Sequence, residues 1–150
     1  MIEPIVKELL ISVDAKRAFE VFTQDIGRWW PLASHSISAS AGKTARSVSM
    51  TPGVGGLIVE IMHDGSKATW GVITQWEVGA SLAFTWHLRR PKAEQTYVSV
   101  EFSQQGTGTK VRLVHSGWEA QGDDGASNRE QYKSGWDYVL AECYGGELVA

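Results

Sequence analysis

LAFTWHLRRPKAEQTYVSVEFSQQGTGTKVRLVHSGW, residues 82–118, contains three short runs in which apolar and polar side chains alternate. Leu82, Phe84, Trp86 and Leu88 fall on one face of an extended chain, as do Val98, Val100 and Phe102 in the second run and Val111, Leu113 and His115 in the third. A period of two marks strands with one face buried and the other wet. Pro91 and the turn from Gly106 to Gly108 separate the runs at hairpin length, so neighbours pair antiparallel.

The same pattern extends upstream. Strands are expected at 45–50, 56–62 and 67–77, punctuated by Pro52 to Gly56, by Asp64 and Gly65, and by the turn from Val78 to Ser81. No helical period intervenes, which makes the stretch from Ala45 to Ser116 a six-strand antiparallel meander. At the N-terminus, Ile5, Leu9, Ile11 and Val13 share the apolar face of a seventh strand, residues 5–13. Asp14 is placed to cap a helix in which Ala15, Phe19, Phe22 and Ile26 recur at helical spacing. That helix is expected to break near Gly27, and Pro31 disfavours α conformation at Trp30, so a loop rich in Ser and Ala follows to about Thr44.

Downstream of Trp118, Ser127 and Glu130 have capping-box spacing, and Tyr132, Trp136, Val139, Leu140 and Cys143 form an apolar stripe. A helix is expected over 128–144, with Gly145 and Gly146 as its left-handed stop. Gly135, inside it, costs ~1 kcal/mol relative to Ala, and such a glycine usually lets the backbone approach something closely. The fold class is therefore α+β: about seven strands in a curved antiparallel sheet, wrapped around a long C-terminal helix, in a single domain spanning 1–150.

A chain of 150 residues with 43% hydrophobic and 21% charged residues can bury a core without staples. The net charge of −3 and the scattered Lys and Arg residues leave no basic stripe for a nucleic acid. Cys143 is the only cysteine, which excludes an internal disulfide and a Cys-type metal site. No apolar run approaches the ~20 residues of a membrane span, and the cytoplasm is the expected location. The four histidines show no i, i+4 pair, no phosphate-cofactor motif occurs, and no metal or cofactor is expected. Ser34 with His35 and Ser116 with His115 are adjacent pairs that, in a strand, would face opposite ways, so no nucleophilic triad is read.

The order of elements and a set of short pieces resemble one family. The strand at 5–13 followed by Asp14, Ala15 and Phe19, then Gly55-Gly56, Trp70-Gly71, Phe84-Thr85-Trp86, Gly108 to Val111, His115 to Trp118 and Gly135-Trp136, occur in its order over nearly the whole chain. The sequence resembles the activator-of-heat-shock-ATPase-like (AHSA-type) branch of the START-like, birch-pollen-allergen-like superfamily, also called SRPBCC. The resemblance implies a helix-grip fold in which sheet and helix enclose a ligand cavity. Trp70, Trp86, His115 and Trp136 are expected to line it, with Tyr97 and Phe102 as further walls; the alternative is that the tryptophans simply fill a core. Likewise His115 is either a polar group of the cavity or a buried imidazole bonded within the core.

Three functions follow as expectations. The first is a binding module for a small apolar or aromatic molecule. The second is a cyclase or dehydratase acting in the same pocket, with His115 as general acid or base. The third is an interaction module acting on a chaperone, which would show an exposed apolar patch at Trp29 and Trp30. The co-chaperone that names the branch carries a separate N-terminal domain for which 150 residues leave no room, which weakens the third.

Overall fold

The computed structural model of the protein describes residues 2–88 and 90–149. Among them, strand β1 (Ile5–Ile11) precedes helices α1 (Ala15–Thr23) and α2 (Ile26–Trp29). Six strands follow: β2 (Ser47–Met50), β3 (Leu57–Ile61), β4 (Lys67–Glu77), β5 (Ser81–Trp86), β6 (Thr96–Gln105) and β7 (Gly108–Ser116). Helix α3 (Gly125–Trp136), a π-helical stretch (Asp137–Tyr144) and α4 (Gly145–Val149) close the chain as one continuous helical rod.

The described strands form one antiparallel sheet in the order β1-β7-β6-β5-β4-β3-β2. The meander pairs each strand with the next, and β1 joins on the β7 side, with Ile5 opposite His115 and Ile11 opposite Thr109. The alternating residues expected to point inward do so: Leu82, Phe84, Trp86, Val98, Val100, Phe102, Val111, Leu113 and His115 are all buried. Register shifts in the β3–β4 and β4–β5 pairs bend the sheet where it must curl. Beside the second shift, a Cβ on Gly71 would lie 1.7 Å from the Thr85 carbonyl oxygen, so only glycine lets β5 approach there.

Two segments differ from their sequence-based expectation. The long helix begins at Gly125, ahead of Ser127, whose hydroxyl bonds back to the Asp124 carbonyl, so no capping box forms. It also passes through Gly145, which is right-handed at φ −60° and ψ −38°, and runs on to Val149. The π-helical stretch accounts for a further shift. Its wider turn takes Tyr144 fully into the core, where the phenol donates to the Ala18 carbonyl at 2.7 Å, and leaves Cys143 half-buried. The apolar stripe drawn through Cys143 assumed a regular 3.6-residue turn.

α1 starts as expected but ends at Thr23, ahead of the break expected near Gly27, which lies inside α2 with Ile26. Asp14 Oδ1 accepts from the Arg17 N–H at 2.8 Å, and Phe19 and Phe22 pack edge-on against Phe102. Trp30 leaves the helix in extended conformation just before Pro31. Trp29 and Trp30 are both buried, so the exposed patch expected for a chaperone-binding module is not at these residues.

Candidate functional site

Trp30 sits at the centre of an indole cluster. Its ring centroid lies 5.2 Å from that of Trp70, 5.7 Å from Trp86 and 6.0 Å from Trp136. The rings are tilted or edge-on to one another, the arrangement aromatic quadrupoles favour. Packing such large, rigid shapes leaves a cavity of about 220 Å³ between the helical rod, the end of β5 and the turn after α2. Trp30, Trp86, Leu88, Trp136 and Val139 form its apolar walls, and Ser34, His35, Gln131 and Tyr132 supply its polar groups. Gly135 also lines it, and a Cβ built there would meet only His35 Nε2, at 3.8 Å. The glycine was expected to bring the backbone against a neighbour; here it leaves space. Outward, the same Trp86, Leu88, Gln131 and Tyr132 border a second, more polar hollow of about 510 Å³ that reaches Arg90, Glu94 and Asn128.

The six residues expected to line a cavity separate into three groups. Trp86 and Trp136 are in its wall. Trp70 and His115 are completely buried behind that wall. Tyr97 is half exposed on the other face of the sheet, its ring lying over Gly117, and Phe102 packs into the Phe19 and Phe22 cluster. For Tyr97 the reason is strand parity, because Thr96 and Val98 point inward and residue 97 cannot. For Phe102 it is distance along β6, since the inner face is divided between an α1-facing half and a rod-facing half.

His115 is bonded on both nitrogens. Nδ1 accepts from the Trp136 indole N–H at 3.0 Å, and Nε2 is 2.7 Å from Thr96 Oγ1, which itself donates to the Trp86 carbonyl at 3.2 Å. An indole can only donate, so the proton of the neutral imidazole is assigned to Nε2. Burial lowers the pKa to about 3, keeping the ring neutral. The Trp118 ring lies tilted against it, centroids 4.3 Å apart, and its N–H donates to the His115 carbonyl. This is the buried, core-bonded alternative for His115.

Sequence reasoning passed over Glu60. Its side chain is fully buried on β3 and accepts four hydrogen bonds, from the Ile37 and Ser38 N–H groups, the Ser38 hydroxyl and the Trp70 indole. Burial opposes ionisation, but these donors prevail and hold the carboxyl below the ordinary carboxylate range. Glu60 thereby ties the sheet to the turn that carries the cavity's Ser34 and His35. The available signal was its shared parity with Ile58, a charge at a core position.

Ser34 and His35 also depart from expectation. They lie in a turn where both N–H groups bond to the Pro31 carbonyl, and Ser34 Oγ is 2.7 Å from His35 Nδ1. Adjacent side chains diverge in a strand, and in this turn they converge.

The family model described as Activator of Hsp90 ATPase homolog 1-like protein matches residues 12–142. The chain belongs to this family. Among solved structures, this family member is similar to the anthrahydroquino-gamma-pyrone synthase Txn09, with 30% identity over 87% of this chain and 86% of that one, at a TM-score of 0.61. Protein SSP2350 from Staphylococcus saprophyticus shares 21% identity over 97% of this chain and 91% of that chain, TM-score 0.68. The Aha1 dimer from Colwellia psychrerythraea shares 18% over 95% and 97%, TM-score 0.61. These last two similarities establish the fold alone. None of the curated proteins matches the chain. Among the described residues, no helix is long and apolar enough to cross a membrane, and no cluster of His, Cys, Asp and Glu could hold a metal ion.

Proposed function

We propose that the protein binds a flat aromatic molecule carrying oxygen substituents, with its rings against Trp30, Trp86 and Trp136 and its polar edge toward Ser34, His35 and Tyr132. The observation that carries this reading is the cavity itself. A tightly packed tryptophan core would leave no such space, and Gly135 leaves it open at a helix position where Ala would be more stable. Its volume exceeds the ~150 Å³ of an apolar hollow that takes up benzene. A ligand of several fused rings would extend into the adjoining polar hollow.

The 30% identity to a synthase of an aromatic pyrone favours a second reading, in which the bound molecule is also turned over in a cyclase-type reaction. On either reading, Gly135→Leu should fill the cavity and abolish saturable binding of an apolar fluorescent probe while cooperative unfolding is kept. Undiminished probe binding by this variant would place the ligand elsewhere.

A further inference from the structure

We propose that Tyr132 is a specificity-determining hydrogen-bond donor of the cavity, and that the bound aromatic molecule presents to it an oxygen without a proton, the carbonyl of an aryl ketone or quinone. The proposal rests on the ligand-cavity reading above and names the chemical class of its ligand. It follows from placing the protons around the cavity. An indole N–H can only donate, and each of the three indoles in the wall already uses its proton within the protein. Trp30 donates to the His35 carbonyl at 2.7 Å, Trp136 to His115 Nδ1 at 3.0 Å and Trp86 to the Tyr132 hydroxyl oxygen at 3.2 Å. The tryptophans therefore meet a ligand as ring surface alone.

The last of these bonds sets the sense of Tyr132. Because Trp86 approaches with a proton, the phenol oxygen is the acceptor, and the phenol's own proton must point away from Trp86. Among the described residues, nothing accepts that proton. The ring is held in place by two fully buried neighbours, edge-on to His115 with centroids 5.3 Å apart and tilted against Trp118 at 5.4 Å. Tyr132 borders both the apolar cavity and the polar hollow beside it, so a polycyclic ligand reaching from one into the other passes its hydroxyl. Of the cavity's other polar groups, Ser34 and His35 bond to each other, and the Gln131 amide offers both donors and an acceptor, so none of them selects between the two. Tyr132 does select. A ligand hydroxyl satisfies it only by turning its own proton elsewhere, whereas a carbonyl oxygen accepts from it and has no proton to place.

The test compares 9-fluorenone with fluorene, which share a ring frame and differ by a carbonyl in place of a methylene. In equilibrium dialysis against the full chain, the ratio of fluorenone to fluorene affinity should fall about fivefold on Tyr132→Phe, the net worth of one neutral hydrogen bond. Taking the ratio cancels any general effect of the substitution on the cavity, and cooperative unfolding in denaturant shows that the variant is folded. Infrared spectroscopy gives a second reading on the parent chain alone. The carbonyl stretch of bound fluorenone should lie below its position in a hydrocarbon solvent, and in Tyr132→Phe it should return toward that position. An unshifted stretch in the parent, a stretch that stays lowered in Tyr132→Phe, or a ratio lost in Gln131→Leu and kept in Tyr132→Phe overturns the assignment, while fluorene binding leaves the cavity reading standing. Failure of both probes to bind the parent overturns the cavity reading and this assignment with it.

Discussion

At the scale of single residues, two buried groups make stability depend on pH. His115 has a folded pKa of about 3 against an unfolded value near 6.5. Its contribution is complete above pH 6.5 and is lost as pH falls toward 3, because the unfolded chain binds a proton that the folded chain refuses. Denaturant unfolding across this range should show stability falling by at most about 1.4 kcal/mol per pH unit from this group. Glu60, with its pKa lowered, adds stability that is present above its unfolded value of 4.5 and is lost below it. Glu60→Gln sets an amide N–H2 against donors already aimed at a carboxylate, and should cost at least about 2 kcal/mol at neutral pH. If it costs less than half of that, Glu60 does not anchor the turn. Trp136→Phe strips the donor from His115 Nδ1, for an expected loss of about 1–3 kcal/mol in denaturant unfolding at neutral pH. The inward direction of His115 was legible from parity with Val111 and Leu113. Its neutrality was not, because that comes from complete burial among elements distant in sequence.

At the scale of elements, the strands were the readable part, since a period of two survives any curvature of the sheet. Lys67–Glu77 was expected and found with the same ends. The last helix was legible in existence and direction but not in register. Nothing local in Asp137–Tyr144 signals a π turn, and the widened turn is matched by tertiary contacts, chiefly Tyr144 with Phe22, Trp29 and Ala18. Replacing each residue with Ala reads the register directly. Tyr144→Ala should cost about 3–5 kcal/mol as a buried aromatic, whereas Cys143→Ala should cost well under 1.5 kcal/mol. The opposite ranking would return the helix to a regular α stripe. Gly135→Ala tests the open wall from the stability side. With no neighbour nearer than 3.8 Å to the added methyl, it should raise stability by up to about 1 kcal/mol.

At the scale of the whole molecule, the sheet cannot cover its own inner face. Trp136, Val139, Leu140 and Tyr144 of the helical rod are all buried. A chain ending at Asp124 should therefore aggregate, and a soluble truncation that unfolds cooperatively would contradict the helix-grip arrangement. This architecture was legible because strand alternation, turn residues and the order of elements all agreed. The division of the inner face was not, since which aromatic rings meet depends on how the curled sheet places β3, β5 and the turn after α2 around Trp30. The placement of β1 has a consequence for how the chain reaches this state. Its ladder partner β7 comes only after the whole meander, with Ile5 opposite His115, and Arg129 bonds to the Glu3 carbonyl across 126 residues. Closing so long a loop is entropically costly before any contact rewards it, so the hairpins of the meander should form first and β1 should dock late. Refolding is then expected on the millisecond-to-second scale of high-contact-order topologies, and joining the two termini while opening a meander turn should accelerate it.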